Sequence, residues 1–267
     1  MYKDKRILIL GDLEGVSGVV SFDTDTAPGQ INYERSLRLA TRELNALIRG
    51  LRNGGAGKIT FIDGHGYGGI NFELIDEDID VIMGRPLYPP FGFGKEYDGV
   101  VLFAHHAMAG TPNANLCHSW SHSTIYECRL NNEPIGEIGW YSYLAAYYGI
   151  PVILVTGDDK ACNEAKRYVP DIETAVVKIG LNTTAAICKP PKISQKIIEK
   201  AARNAMARIE SIKPAVLPRP PYVATRTYLD PKYAESFLKH RPWAEKVDER
   251  TVRVRSKDYL ELTTLFL

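Results

Sequence analysis

The sequence predicts an α/β fold: a mainly parallel sheet flanked by helices, with a smaller C-terminal α+β part. Three observations predict it. Short, continuously apolar runs recur through the first 190 residues, as in strands buried on both faces. Segments of helical periodicity fall between them, which is the alternation of a parallel sheet with crossover helices. Beyond about residue 190 the pattern changes to one long amphipathic segment, a proline cluster and two alternating segments.

Arg6–Leu10 is the first strand. Asn32–Leu51 follows as a helix, with Leu37, Ala40, Leu44, Leu47, Ile48 and Leu51 on one face and Gly54–Gly55 as its stop. Lys58–Ile62 is the second strand, Val81–Met83 a short third and Gly99–Ala104 the fourth. Thr124–Leu130 and Ile135–Ile138 flank Asn131–Asn132 as a hairpin. Glu137–Tyr148 reads as a helix whose aromatic residues pack into the core, and Pro151–Thr156 as another buried strand. Ile193–Ile212 is a long amphipathic helix. Pro214–Pro221, with four prolines, is a linker or edge, and Tyr222–Tyr228 and Thr251–Arg255 pair as strands. The expected division is a main α/β domain over 1–190 and an α+β appendage over 191–267, packed on the core or used in oligomer contacts.

Composition narrows the function classes. Lys and Arg number 33 and Asp and Glu 32 in 267 residues, so the net charge of +1 argues against a nucleic-acid binder. Aromatic content of 10% and charged content of 24% argue against disorder. No apolar run reaches membrane-spanning length. Met1–Arg6 is basic, but the apolar stretch behind it, Ile7–Leu10, is too short for a secretory signal. Cys117, Cys128, Cys162 and Cys188 lack C-x-x-C spacing and read as reduced thiols, which places the chain in the cytoplasm.

In open α/β sheets ligands sit beyond the carboxyl ends of the strands. Asp12, Glu14 and Gly15 follow the first strand, and Asp63, Gly64 and His65 the second. His105 and His106 follow the fourth, and Gly157, Asp158 and Asp159 a later one. Four strands therefore deliver carboxylates or imidazoles to one rim. Asp12 and Glu14, two apart, share a side in extended chain. Held together they repel unless a cation or shared proton relieves them, and the histidines add the nitrogen donors zinc favours. Capping of the next helix is the plainer role for Asp12 and Glu14, and a backbone-satisfied loop imidazole the plainer role for His65. Strand alternation predicts that only one of His105 and His106 faces the rim. The long loop from His106 to His122 carries His118 and His122, either of which suits general acid/base work. Glu137 opens a helix, where it is either a ligand or a dipole partner.

These residues fall into motifs. GDLEGVSGV at 11–19, DGH at 63–65, HHAMAGTPNANLCHS at 105–119, GEIG at 136–139 and VTGDDKAC at 155–162 resemble peptidase family M55, the D-aminopeptidases. NYERSLRLATRELNALI at 32–48 and AVVKIGLNTTAAIC at 175–188 are similar to family segments too. The resemblance implies two Zn2+ per subunit, with Co2+ or Mn2+ able to use the same ligands. It implies that Asp12 bridges both ions, that Glu14 and His65 complete one and His106 and Glu137 the other, and that His118 rather than His122 is the catalytic histidine. It also implies hydrolysis of short peptides or aminoacyl amides by metal-activated water, and a ring-like homo-oligomer such as a decamer. Asp63, Asp158 and Asp159 are candidates to orient the ligating histidines. Two rival readings stand beside this one. A haloacid-dehalogenase-like phosphatase would use Asp12 as nucleophile and Asp158/Asp159 for magnesium, and leaves His65, His106, His118 and Glu137 idle. A purely structural zinc protein would fill each ion with four protein ligands, often cysteines.

Overall fold

The computed structural model describes residues 4–75 and 78–267; residues 1–3 at the start of the basic N-terminal stretch, and residues 76–77, lie outside the described residues. KRILILG forms β1 (Lys5–Gly11), whose last five residues are all buried, as a strand covered on both faces requires. α1 (Tyr33–Asn53) buries the stripe Ala40, Leu44, Leu47, Ile48 and Leu51. Gly55 follows it at φ +101°, a conformation that favours glycine, and turns the chain into β2 (Ala56–Asp63). β3 (Asp80–Ile82) and β4 (Gly99–His105) come next, the latter buried throughout. β5 (Ile125–Leu130) and β6 (Glu133–Pro134) form a hairpin around Asn131 and Asn132, both at positive φ.

Chain order continues with α2 (Glu137–Tyr147), β7 (Val152–Asp158), α3 (Asp159–Tyr168), β8 (Glu173–Asn182) and β9 (Ala185–Cys188). α4 (Pro191–Ala207), β10 (Tyr222–Tyr228), α5 (Pro231–His240), β11 (Glu245–Lys246), β12 (Thr251–Ser256) and α6 (Tyr259–Phe266) complete it. The larger sheet has the order β3-β2-β1-β4-β7-β8-β9 and is parallel except at β9. Two helix pairs flank it, α1 with α4 and α2 with α3. The smaller sheet, β11-β12-β10-β5-β6, is antiparallel and takes β5 and β6 from before residue 190.

Several elements depart from expectation for physical reasons. Ile135–Ile138 is not a strand: Ile135 and Ile138 are both buried, a three-residue spacing that suits the entry to α2. The long C-terminal helix starts at Pro191, whose ring presets a helical φ, and ends at Ala207. α3 escapes periodicity analysis because its buried side chains are small, Ala161, Cys162 and Ala165 beside Glu164. No helix among the described residues is long and apolar enough to cross a membrane.

The strand order fixes where a ligand can sit. β1 continues to β2 on one side, and the chain later returns to β4 on the other. The crevice beyond the carboxyl ends of β1 and β4 is the topological switch point, where open α/β sheets bind ligands. Asp12 leaves β1 there, and His105 and His106 leave β4. The C-terminal helix holds a third wall. Phe266 stacks on Trp140 with centroids 5.1 Å apart, and Trp140 Nε1 donates to Thr263 Oγ1 at 3.1 Å. Those contacts lock α2, whose first residue is Glu137.

Candidate metal centre

The loop after β1 can pass directly against β4 because residue 15 is glycine. A Cβ there would lie 2.3 Å from the Ala104 carbonyl carbon and the His105 carbonyl oxygen. Gly15 N–H instead donates to the Ala104 carbonyl at 2.7 Å, and Asp12 N–H to the Phe103 carbonyl at 2.9 Å. The Asp12 and Glu14 side chains are thereby pinned beside the end of β4, both buried.

Two groups of side chains meet there. His65 Nδ1 lies 3.2 Å from Asp12 Oδ1 and 3.1 Å from Glu14 Oε2. His106 Nε2 lies 3.3 Å from Asp12 Oδ2 and 3.3 Å from Glu137 Oε1. Asp12 thus touches both groups with different oxygens. The Asp12, Glu14 and His65 donor atoms lie within 4.8 Å of one another, and so do those of His106, His118 and Glu137. Glu137 is fixed by its place at the start of α2 and by the Trp120 N–H, which donates to its Oε1 at 2.7 Å.

The outward nitrogen of each imidazole meets a backbone carbonyl. His65 Nε2 faces the Thr26 carbonyl at 2.7 Å, His106 Nδ1 the Ala107 carbonyl at 3.0 Å and His118 Nδ1 the Leu116 carbonyl at 2.9 Å. A carbonyl only accepts, so it holds the proton on that nitrogen and leaves the other nitrogen's lone pair free. Asp63, Asp158 and Asp159 do not hydrogen-bond these rings. Asp63 accepts from Gly69 N–H, Asp158 caps α3 and accepts from Asn115 N–H, and Asp159 accepts from Gly180 N–H. Carboxylates at the last residue of a strand or the one after it are as well placed to fasten loops as to orient rings.

The electrostatics are those of a cation site. Burial alone would raise the Asp12 carboxyl, but His106 and His65 outweigh it and hold it well below the usual range. Burial opposes charge on His65 and His106 as well, yet Glu14 and Asp12 for the first, and Glu137 and Asp12 for the second, push both rings well above the usual imidazole value. Burial likewise raises Glu137, and His106 outweighs it to lower the net value. The buried Glu14 Oε2 and His106 Nε2 nevertheless have no hydrogen-bond partner, although oppositely charged atoms lie near them. Apart from the His65 Nδ1–Asp12 Oδ1 hydrogen bond at 3.2 Å, the two atoms are left unsatisfied, and an unsatisfied buried polar atom is costly. A set of three carboxylates and three imidazoles, whose inward nitrogens can give up a proton to a bound cation, fits divalent metal.

His118 stacks on His106 with centroids 3.8 Å apart and lies edge-on to Phe22. Burial, and then His106, lower its pKa. His122 lies further out, stacked on Phe22 at 4.0 Å. Both line a cavity of about 490 Å³ together with Asn113, Cys117, Ile125 and Tyr126. The role of one anchoring residue was missed in the sequence. Lys178 on β8 is fully buried and donates to the Glu14 carbonyl at 2.5 Å, the Val19 carbonyl at 2.6 Å and Asn115 Oδ1 at 2.8 Å. Burial pulls its pKa down to about 8. A lone lysine in an apolar strand was the available signal.

Fold and site together define an α/β protein with a carboxylate–imidazole cluster at its switch point. The chain belongs to the D-aminopeptidase family, peptidase M55, whose pattern matches residues 5–267. It is 30% identical over 259 residues to a D-aminopeptidase of Bacillus subtilis strain 168, covering 94% of this chain and 91% of that protein. Among solved structures it is similar to the Zn-dependent D-aminopeptidase DppA from Bacillus subtilis, a self-compartmentalizing protease. That likeness has a TM-score of 0.88 and 29% identity, over 97% of this chain and 94% of that one.

Proposed function

We propose that this chain is a zinc-dependent aminopeptidase that releases the N-terminal residue of short peptides or aminoacyl amides, with preference for D-residues. The observation that carries the reading is the convergence of Asp12, Glu14, His65, His106 and Glu137 at the switch point, with the buried Glu14 Oε2 and His106 Nε2 left unpaired. Asp12, Glu14 and His65 would hold one ion, and Asp12, His106 and Glu137 a second. Co2+ or Mn2+ suits the same oxygen and nitrogen donors. A divalent pair in such a site supplies Lewis acidity and a water acidic enough to attack a carbonyl near neutral pH.

The protein's own groups do the remaining work. The Leu116 carbonyl keeps the proton on His118 Nδ1, so Nε2 is the atom that exchanges a proton with substrate. Burial keeps this ring neutral at rest, ready to accept the proton and pass it to the departing amine. The adjoining cavity, about 490 Å³, has room for a short peptide and presents His118 at its wall. Phe22 packs against both His118 and His122 and holds the two rings in place. The family's ring-like assembly extends to this chain in the same reading. All four cysteines are free thiols, which fits the cytoplasm.

The test is metal analysis of the purified protein beside a screen of D- and L-aminoacyl amides, with and without chelator. The expected result is about two zinc ions per chain, chelator-sensitive hydrolysis and faster turnover of D-substrates. His118→Ala should lower kcat by roughly 100- to 10,000-fold while leaving metal content unchanged. Hydrolysis that survives complete metal removal would overturn the reading.

A further inference from the structure

The metal reading uses His106 and leaves its neighbour His105 without a role. In a regular strand two successive side chains point to opposite faces. Here they do not. The register of β4 on β7 runs from Leu102↔Val155 to His105↔Gly157, so β4 carries one extra residue. Ala104 sits in that bulge at φ +57°, a strained conformation for alanine. It is held there at both ends: its N–H donates to Thr156 Oγ1 at 2.7 Å, and its carbonyl accepts from Gly15 N–H at 2.7 Å. Bulges of this kind re-aim side chains beside functional sites.

The re-aimed ring is His105. It is 1% exposed, and neither of its nitrogens has a hydrogen-bond partner. The Leu10 backbone lies near the ring, but no hydrogen bond of good geometry forms. A ring nitrogen of His105 and carboxylate oxygens of Asp12 and Glu137 all lie within 4.8 Å of one another. Tyr141, one turn along α2 from Glu137, packs edge-on to the ring at 6.0 Å and covers its other side. A buried imidazole with two idle nitrogens is costly unless something on the open side uses it.

We propose that His105 is a further nitrogen ligand of the ion held by Asp12 and Glu137, beside His106. This rests on the metal reading above. It makes the two ions unequal. The ion of Asp12, Glu14 and His65 has three protein donors, whereas the other has four and is the more tightly held. A richer protein donor set leaves fewer positions for water, so the water-activating position lies toward the Glu14 and His65 side.

The experiment uses the full chain, stripped of metal and reloaded with Zn2+ or Co2+. Dissociation constants come from chelator competition, and the ligand field from cobalt absorption. His105→Phe keeps a planar ring and removes both nitrogens. The expected result is weakening of the tighter ion by about 10- to 100-fold or more, with altered cobalt bands for that ion and an unchanged second ion. Affinities and spectra identical to the wild type overturn the proposal. If His105→Phe does not fold, His118→Ala protein with 15N-labelled histidine and cadmium-113 decides it. Metal-coupled imidazoles from His65, His105 and His106 are expected. Coupling from His65 and His106 alone overturns the role of His105 and spares the metal reading, while no coupling at all overturns both.

Discussion

Asp12, Glu14 and His65 stand one to three residues beyond the ends of two adjacent parallel strands, β1 and β2. His106, His118 and Glu137 come from the end of a bulged strand, a loop without regular structure and the first turn of a helix. The two groups meet at one carboxylate yet are held by different means. Parallel pairing places the first group, because it sets the heights of Gly11 and Asp63 against each other, and Gly15, Lys178 and Glu43 then fasten its loop. The second depends on remote packing: α6 against α2, Lys178 under Asn115, and the twist at Ala104. The comparison teaches that half of this centre is a property of the sheet and half a property of tertiary contacts.

Asp12→Ala strikes both groups at once and should have the largest effect. With this carboxylate absent, His65 and His106 lose their shared partner. Loss of several kcal/mol of transition-state stabilisation corresponds to a fall in kcat/KM of about 1,000-fold or more. Metal analysis should find both ions weakened. Glu14→Gln should weaken one ion and leave the other in place. If Asp12→Ala keeps either ion at its original affinity, the two groups are independent and the comparison breaks.

The same division governs what could be read from the chain. Asp12, Glu14 and His65 were legible because apolar runs end abruptly in polar residues, and strand ends are where sheets present ligands. The switch point itself needed the strand order, which only the fold supplies. The joint approach of His105 and His106 was not legible, because alternation forbids it and only a bulge restores it. The carbonyls of Thr26, Ala107 and Leu116 could not be foreseen as ring partners, since every residue has one and only folding selects among them. The supporting helices α3, α5 and α6 were missed, and with them the grip of Phe266 on Trp140. Their buried stripes are short or made of small residues, so periodicity is weak.

Lys178 sharpens the comparison, since it ties the loop of Glu14 to the loop of His118, beside the direct bond from Asn115 Nδ2 to the Val20 carbonyl at 3.2 Å. Lys178→Met fills the same space without donors. Three buried acceptors then stand unpaired, each costing about 1–3 kcal/mol, offset in part by no longer burying a charge. The expected net loss is about 4 kcal/mol of unfolding free energy, measured by denaturant titration of protein with metal bound. kcat should fall more than KM rises, because the substrate cavity is lined by other residues. A variant as stable and active as the wild type would mean that the two loops hold their positions without Lys178.

Glu43 supports only the first group, and its effect should be the smallest. It reaches from α1 toward Ser17, in the loop that carries Glu14, and accepts from Ser17 N–H at 3.4 Å. Burial pushes its pKa from the ordinary 4.5 up to about 7, against opposing contributions from Ser194, Ser17 and Lys178. The folded chain therefore keeps a proton on Glu43 that the unfolded chain releases. The associated stability is complete below pH 4.5 and is lost as pH rises through about 7. At 1.36 kcal/mol per unit, the loss is at most about 3 kcal/mol. Glu43→Gln removes this slope, so the gap between the variant and the wild type should move in the variant's favour from pH 4.5 to pH 7.5. Comparing the two proteins at equal metal occupancy cancels the pH dependence of the ligands themselves. A constant gap across that range would show that Glu43 is already ionised in the fold, and that the first group's loop rests on a buried charge paired with Lys178.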